Sequence, residues 1–304
     1  TQGNLLCITG GEGTGKSNYV AALIAGAVKP ENAEGIDTLG IFIEGNPKGK
    51  AVLFYDTEQS EVQLYKNVST LLRRCGRDTM PEWFKAYCLT GMSRKERLKS
   101  IVLSMDKFHY QYGGIHLVVI DGIADLIRCA NDEAESVAVV EELYRLAGIY
   151  NTCIVTVLHF IPNGLKLRGH LGSELQRKAA AILSIEKDTN PAVSVVKALK
   201  VRDGSPLDVP LMQFAWDKEK AMHAYLGEKP KEEKDRRKEE ELVAVARELF
   251  SRKRFIGYME LSEELQTAFE VKERTAKSYI RFMREKEIIV KSPDSPNSYM
   301  LGEV

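Results

Sequence analysis

Short, wholly apolar runs alternate along the first two-thirds of the chain with longer stretches of helical period. Residues 4–9 read as a buried strand, 17–27 as a small-residue apolar helix, and 51–55 as a second buried strand. Residues 60–75 and 93–109 carry the 3.6 period of helices, with a short strand at 87–89 between them. A third strand at 117–120, an amphipathic helix at 133–149 and strands at 153–158, 180–185 and 192–202 complete the series. Residues 28–50, with Pro30, Pro47 and several glycines, read as loop. Strands alternating with helices predict a mostly parallel sheet covered on both faces, an α/β fold. Such sheets bind ligands at the carboxyl ends of their strands.

The pattern changes near Glu228. Residues 229–241 are almost all charged and read as a solvated linker running into a helix. Helical patterns at 241–252, 260–268 and 273–286 follow, then strands at 288–290 and 299–301 around a turn rich in Pro, Asp and Asn. Three helices and a hairpin, in that order, predict a small winged helix. The expected organisation is therefore a core at 1–227, a linker at 228–240 and a winged helix at 241–304.

Composition narrows the field. The chain has 304 residues, with 43 Lys plus Arg against 43 Asp plus Glu. Any contact with nucleic acid must then come from local patches rather than from net charge. Five cysteines lack CxxC spacing, which fits a reduced, cytoplasmic protein without a zinc site. No apolar run is long enough to span a membrane, and no signal peptide opens the chain. The opening at Thr1, almost directly into a strand, reads as a processing boundary.

Gly10, Gly11, Glu12, Gly13, Thr14, Gly15, Lys16 and Ser17 match GxxxxGK[ST] between a predicted strand and a predicted helix. Glycines let backbone amides turn inward around phosphate oxygens, and the helix start adds its positive end. Lys16 is placed to reach the β- and γ-phosphates of ATP, and the Ser17 hydroxyl to hold Mg2+. Asp121 follows the apolar strand and can orient the magnesium shell beside that loop. Glu58, just past another strand, can activate the attacking water; Asp56 is a weaker rival for either role. The alternative for each carboxylate is a turn former or a surface charge.

His159 ends a strand and could sense the γ-phosphate. The segment after it carries Lys166, Arg168, His170, Arg177 and Lys178 among glycines, and reads as a mobile basic loop suited to a DNA backbone. Lys200 and Arg202 read as the end of the last strand, projecting from one face. Because Lys16 already serves the local site, a second basic pair suggests supply to a neighbouring subunit, as arginine fingers are supplied.

Taken in order, these residues resemble the RecA-like ATPases, particularly the DnaB-type replicative helicases and the RepA-type helicases of plasmids and mobile elements. The resemblance covers about residues 1–226 and rests on residues 10–17, Tyr55-Asp56-Thr57-Glu58, Ile120-Asp121, His159, Leu167-Arg168 through Gly172-Ser173, and Lys200-Val201-Arg202-Asp203-Gly204. It implies a RecA-like P-loop core, Glu58 as catalytic glutamate, and a homo-oligomer, a hexamer in those families. The loops after Asp121 and His159 would face a central DNA channel. Lys200 and Arg202 would act on the nucleotide of the adjacent subunit. His159 stands where several of these families place glutamine. A RecA-like domain followed by a winged helix is also similar, in architecture, to the ATPases of mobilizable transposons.

In the C-terminal segment, Lys277, Arg281 and Arg284 fall along one face of the expected recognition helix, with Ile280 and Met283 on the other. A basic helix face suits docking in the DNA major groove, with Lys272, Arg274 and Lys291 near phosphates. Two functions remain in view. One is an ATP-driven DNA motor, a helicase or replication/excision factor of a mobile element. The other is a DNA-binding regulator in which ATP switches assembly without unwinding. A strand-exchange recombinase is weaker, for want of a filament-forming segment.

Overall fold

The computed structural model describes residues 2–33, 35–159, 169–293, 295 and 297–303. Contacts divide the chain into two compact units. The first holds residues 1–197 and 212–228, the second 198–211 and 229–304. One boundary falls at Glu228, where composition places it, and another inside a strand, which assigns residues 198–211 to the second unit as well.

The first unit is built from β1 (Asn4–Gly10), α1 (Lys16–Val28), β2 (Ala51–Asp56), α2 (Glu61–Arg74), β3 (Phe84–Cys88), α3 (Arg94–Gln111) and β4 (Ile115–Asp121). After these come α4 (Glu133–Ile149), β5 (Cys153–His159), α5 (Gly169–Lys178), β6 (Ala181–Lys187), β7 (Val193–Val201), β8 (Met212–Asp217) and β9 (Met222–Glu228). Among the described residues, these strands form one nine-stranded sheet in the order β3-β2-β4-β5-β1-β6-β7-β8-β9. The pairs β2–β3, β2–β4, β4–β5, β1–β5 and β1–β6 are parallel, whereas β7–β8 and β8–β9 are antiparallel. This is a RecA-like α/β core. Every residue of β2 is buried, as covering on both faces demands. Helix α1 is apolar nearly all round and lies in the core, with Tyr19, Leu23 and Ile24 inaccessible to solvent.

Sequence pattern alone left several elements unassigned. The hairpin β8–β9 was not anticipated, although Asp217 marks its turn by accepting the amide protons of Glu219 and Lys220. The expected mobile basic loop is corrected in part: residues 169–178 form α5, so His170, Arg177 and Lys178 lie on a helix. Lys166 and Arg168 lie outside the described residues.

The second unit contains α6 (Lys231–Arg252), β10 (Ile256–Gly257), α7 (Tyr258–Phe269), α8 (Glu273–Glu285), β11 (Ile289–Lys291) and β12 (Ser298–Leu301). Its three strands pair antiparallel in the order β10-β12-β11. The observed order is helix, strand, helix, helix, hairpin, one short strand more than the order expected from the sequence. The charged linker is corrected: α6 begins at Lys231 and absorbs it. Charged residues that look unstructured singly are good helix formers, and here Arg236–Glu240 and Arg237–Glu241 pair at i,i+4. Leu242, Leu261, Leu265, Ile280 and Met283 form the small core around Tyr279, whose hydroxyl lies 2.7 Å from the Ser205 hydroxyl. Among the described residues, no helix is long and apolar enough to cross a membrane.

One core residue ties the antiparallel hairpin to the start of α1. Phe214 on β8 is fully buried, stacks on Tyr19 with ring centroids 6.0 Å apart, and lies against Gly15, where a Cβ would come within 2.9 Å of its ring. Phe214→Ala should cost about 3–5 kcal/mol of stability by opening a cavity there. The check is the midpoint of urea unfolding, which should fall well below that of the parent.

Candidate active site

The site lies at the carboxyl edge of the parallel strands. The segment joining β1 to α1 wraps back so that Lys16 is only 7% exposed. Its ammonium donates to the carbonyls of Gly10, at 3.0 Å, and Gly11, at 2.5 Å. The Thr14 hydroxyl also donates to Gly11 O, at 3.0 Å. At Gly10 a Cβ would run into the Ile185 carbonyl, so no other residue fits without moving β6. Glu12 and Gly13 are exposed on the outside of the loop, and Ser17 is exposed in the first turn of α1. The result is a glycine-rich turn wrapped around one buried cation, and the loop amides together with that ammonium form a donor set that fits a triphosphate.

Three carboxylates gather at the ends of β2 and β4. In register across the sheet, Asp56 on β2 sits opposite Asp121 on β4, and Gly10 on β1 opposite His159 on β5. Asp121 is 5% exposed. Its pKa is pushed up to about 7, chiefly by burial, with Asp56 and Glu58 acting the same way and Lys16 opposing them. Burial also holds Lys16 below the ordinary lysine value, against the pull of Glu58, Asp121 and Glu12. Asp56 is fully buried and spends one oxygen on the amide protons of Glu58, at 3.0 Å, and Gln59, at 2.9 Å. It therefore shapes the turn that presents Glu58. Its other oxygen has no hydrogen-bond partner among the described residues, and burial raises its pKa. Glu58 is half-exposed, and its Oε2 lies 3.3 Å from His159 Nε2.

Sequence reasoning thus brought Lys16, Glu58, Asp121 and His159 to one place, and the structure has them there. It did not anticipate the part played by Thr57, Gly122 and Asp125. The Thr57 hydroxyl lies 3.0 Å from Asp121 O, 2.9 Å from Gly122 O and 3.1 Å from Asp125 Oδ2. Gly122 has φ of 98°, and a Cβ there would collide with the Thr57 hydroxyl and come within 2.8 Å of Glu58 Cγ. The Asp-Gly pair ending an apolar strand was the available signal.

Lys200 and Arg202 belong to the second compact unit. The strand ends at Val201, so Arg202 lies in the turn beyond it, and β7 is followed by two further strands rather than being the last. Lys200 Nζ is 2.5 Å from Glu270 Oε2, and Lys272 Nζ is 2.9 Å from Asp203 Oδ1. On α5, Arg177 pairs with Glu174 at 2.6 Å and approaches Glu141. On α8, Lys277 pairs with Glu273 at 2.7 Å and Arg281 with Glu285 at 2.8 Å, while Arg284 is exposed.

Residues 1–163 match the family model described as an AAA domain, which is more than half of the chain. The chain belongs to the AAA domain family. This AAA domain carries the phosphate loop, Glu58, Asp121 and His159 inside the matched residues, and Lys200 and Arg202 beyond them. No curated protein matches the chain. A KaiC-like protein from the hyperthermophilic archaeon Pyrococcus horikoshii OT3 is among the similar solved structures, at 14% identity and a TM-score of 0.49, over 74% of this chain and 89% of that one. Strand order and family together make the first unit a RecA-like P-loop ATPase core. The family's use of a magnesium ion is compatible with the residues present. Among the described residues no group of three His, Cys, Asp or Glu could hold a metal alone, so the ion would rest on Ser17, Asp121 and nucleotide phosphates, as magnesium usually does.

The raised pKa of Asp121 has a measurable consequence. Its folded value, about 7, exceeds its ordinary value of 3.8, so between those limits the folded state holds more protons than the unfolded one. The contribution of this group to stability therefore falls as pH rises through that window. Asp121→Asn removes the penalty. Without nucleotide, the variant should melt higher than the parent at pH 8, and the gain should shrink toward zero near pH 4. Melting curves across that range decide it.

Proposed function

We propose that this protein is a magnesium-dependent ATP hydrolase that couples hydrolysis to work on DNA, as a helicase or as a replication or excision factor of a mobile genetic element. The convergence of Lys16, Asp121 and Glu58 at one sheet edge supports the hydrolytic half. Backbone amides of residues 10–15 bind the phosphate chain, and Lys16 exchanges its two carbonyl partners for phosphate oxygens, a stronger, charge-assisted contact. Ser17 and Asp121 would hold magnesium, which would neutralise phosphate charge. Glu58 takes a proton from the attacking water, and His159, 3.3 Å from it, responds to the state of that carboxylate.

The DNA half rests on the second unit and on α5. Lys277, Arg281 and Arg284 line one face of α8 for the major groove, with Lys272, Arg274 and Lys291 toward phosphates. Three of these cations, Lys272, Lys277 and Arg281, are in exposed ion pairs, which contribute only about 0–1 kcal/mol each, so DNA phosphates can replace their acidic partners. Arg177, with Lys166 and Arg168, would meet a single strand. Lys200 and Arg202 would complete the site of an adjacent copy in a ring-shaped homo-oligomer of hexameric type, in the cytoplasm.

A second reading is an ATP-switched DNA-binding regulator. The recognition-helix geometry of α8 favours it, because such a helix reads duplex sequence, which a translocating motor does not require.

Glu58→Gln should lower kcat for ATP by roughly 10²–10⁴-fold, the usual contribution of a general base, and leave nucleotide affinity near that of the parent. Phosphate release and calorimetry with magnesium measure the two quantities. Parental turnover in this variant would remove Glu58 from the mechanism. A strand-displacement assay separates the two readings: unwinding with ATP supports the motor, and site-specific duplex binding without unwinding supports the regulator.

A further inference from the structure

We propose that Thr57, held by Asp125 and Arg97, is a positioning residue that fixes the distance between Glu58 and Asp121, and through it sets the rate of hydrolysis. The inference rests on the assignment of Glu58 as general base. The two carboxylates stand on different strands, Asp121 at the end of β4 and Glu58 just past β2, so nothing in either strand alone fixes their separation. Thr57 spans the gap. Its amide donates to Asp121 O at 3.0 Å, and its hydroxyl is surrounded by Asp121 O, Gly122 O and Asp125 Oδ2, all within 3.1 Å. The residue next in sequence is Glu58. Gly122 supplies the room, since a side chain there would displace both Thr57 and Glu58.

The hydroxyl has one proton and three acceptors. The carboxylate of Asp125 is the charged acceptor and the strongest of the three. Arg97 fixes that carboxylate in turn. Its Nη1 lies 3.7 Å from Asp125 Oδ2 and donates to Asp125 O at 3.2 Å. Its Nε donates to the carbonyls of Leu89 and Met92, each at 3.0 Å. Leu89 N donates back to Asp56 O at 2.8 Å. The contacts close a circuit from Asp56 through Leu89, Arg97, Asp125 and Thr57 to the ends of β2 and β4. Thr57 is 3% exposed and the Arg97 side chain 14%, so water competes little for their bonds to the Asp121, Gly122, Leu89 and Met92 carbonyls, while the Asp125 carboxylate, 42% exposed, is held between them. General-base catalysis depends steeply on where the base stands, and a displacement of about 1 Å can cost on the order of a hundredfold.

The test uses the full chain, with ATPase rates measured with and without single-stranded DNA. Thr57→Val keeps the shape and removes the hydroxyl. It should lower kcat on the order of tenfold to a hundredfold with little change in KM for ATP. Thr57→Ser restores the hydroxyl and should return kcat close to the parent, which a requirement for bulk alone would not produce. In a Glu58→Gln background, Thr57→Val should cause no further loss, because both changes act through one group. Should Thr57→Val fail to fold, Asp125→Asn carries the test: it keeps the size and an acceptor, and should lower kcat severalfold with the parental melting temperature. Parental kcat in Thr57→Val, or in a folded Asp125→Asn, alongside an inactive Glu58→Gln, overturns the positioning role and leaves the proposed function standing. A further drop when Thr57→Val is added to Glu58→Gln also overturns it. Parental turnover in Glu58→Gln itself is the separate result that sinks the reading beneath it.

Discussion

Negative charge gathered at the end of a buried sheet is the constraint around which the first unit is arranged. Asp56 and Asp121 face each other across adjacent strands with almost no exposure, and Glu58 stands beside them. Like charges this close raise one another's pKa, and burial adds to the effect. Lys16 is the cation that opposes them at Asp121, and it comes from the far side of β5. An arrangement of this kind costs stability while it waits and repays it when cationic ligands arrive. The cradle of residues 10–17 therefore has to be rigid, because it holds the single lysine against its own carbonyls and toward the carboxylates.

That rigidity explains which parts could be read directly from residue order. A strand of buried apolar residues, a glycine loop and a helix are local, and the loop tolerates little else: at Gly10 the Ile185 carbonyl leaves no room for a Cβ. Asp121 was legible because an acid directly after Leu117-Val118-Val119-Ile120 has nowhere to be but the sheet edge. Glu58 was legible for the same reason. The Thr57–Asp125–Arg97 circuit was not, since its members are brought together from positions 57, 97 and 125 by strand order alone. No spacing rule links a threonine to an arginine forty residues away.

The misread segments have physical causes too. Residues 169–178 look like a glycine-interrupted basic loop, yet Leu171 and Leu175 are fully buried and fasten α5 to the core. Two buried leucines at i and i+4 outweighed the glycines. In α6 the reverse holds: charge density suggested a linker, but Glu, Lys and Arg at i,i+4 spacing support a helix that later buries Leu242 and Ala246. The hairpin β8–β9 carries Phe214, which packs on Tyr19 and against Gly15 and so helps to set where the phosphate loop ends and α1 begins. Tertiary packing decided each case.

The exposed basic residues obey a different logic from the buried site. Lys277, Arg281 and Arg177 each have a glutamate three or four residues away, and Lys200 and Lys272 pair with Glu270 and Asp203. Pairs at the surface are individually weak, screened by salt and easily exchanged. Lys200 differs from the rest, because its side chain is only 11% exposed and its partner Glu270 sits at the turn that leads into α8. Within the second unit, the Lys-x-Arg-Asp-Gly segment and the start of the basic helix are thus held by the same two ion pairs.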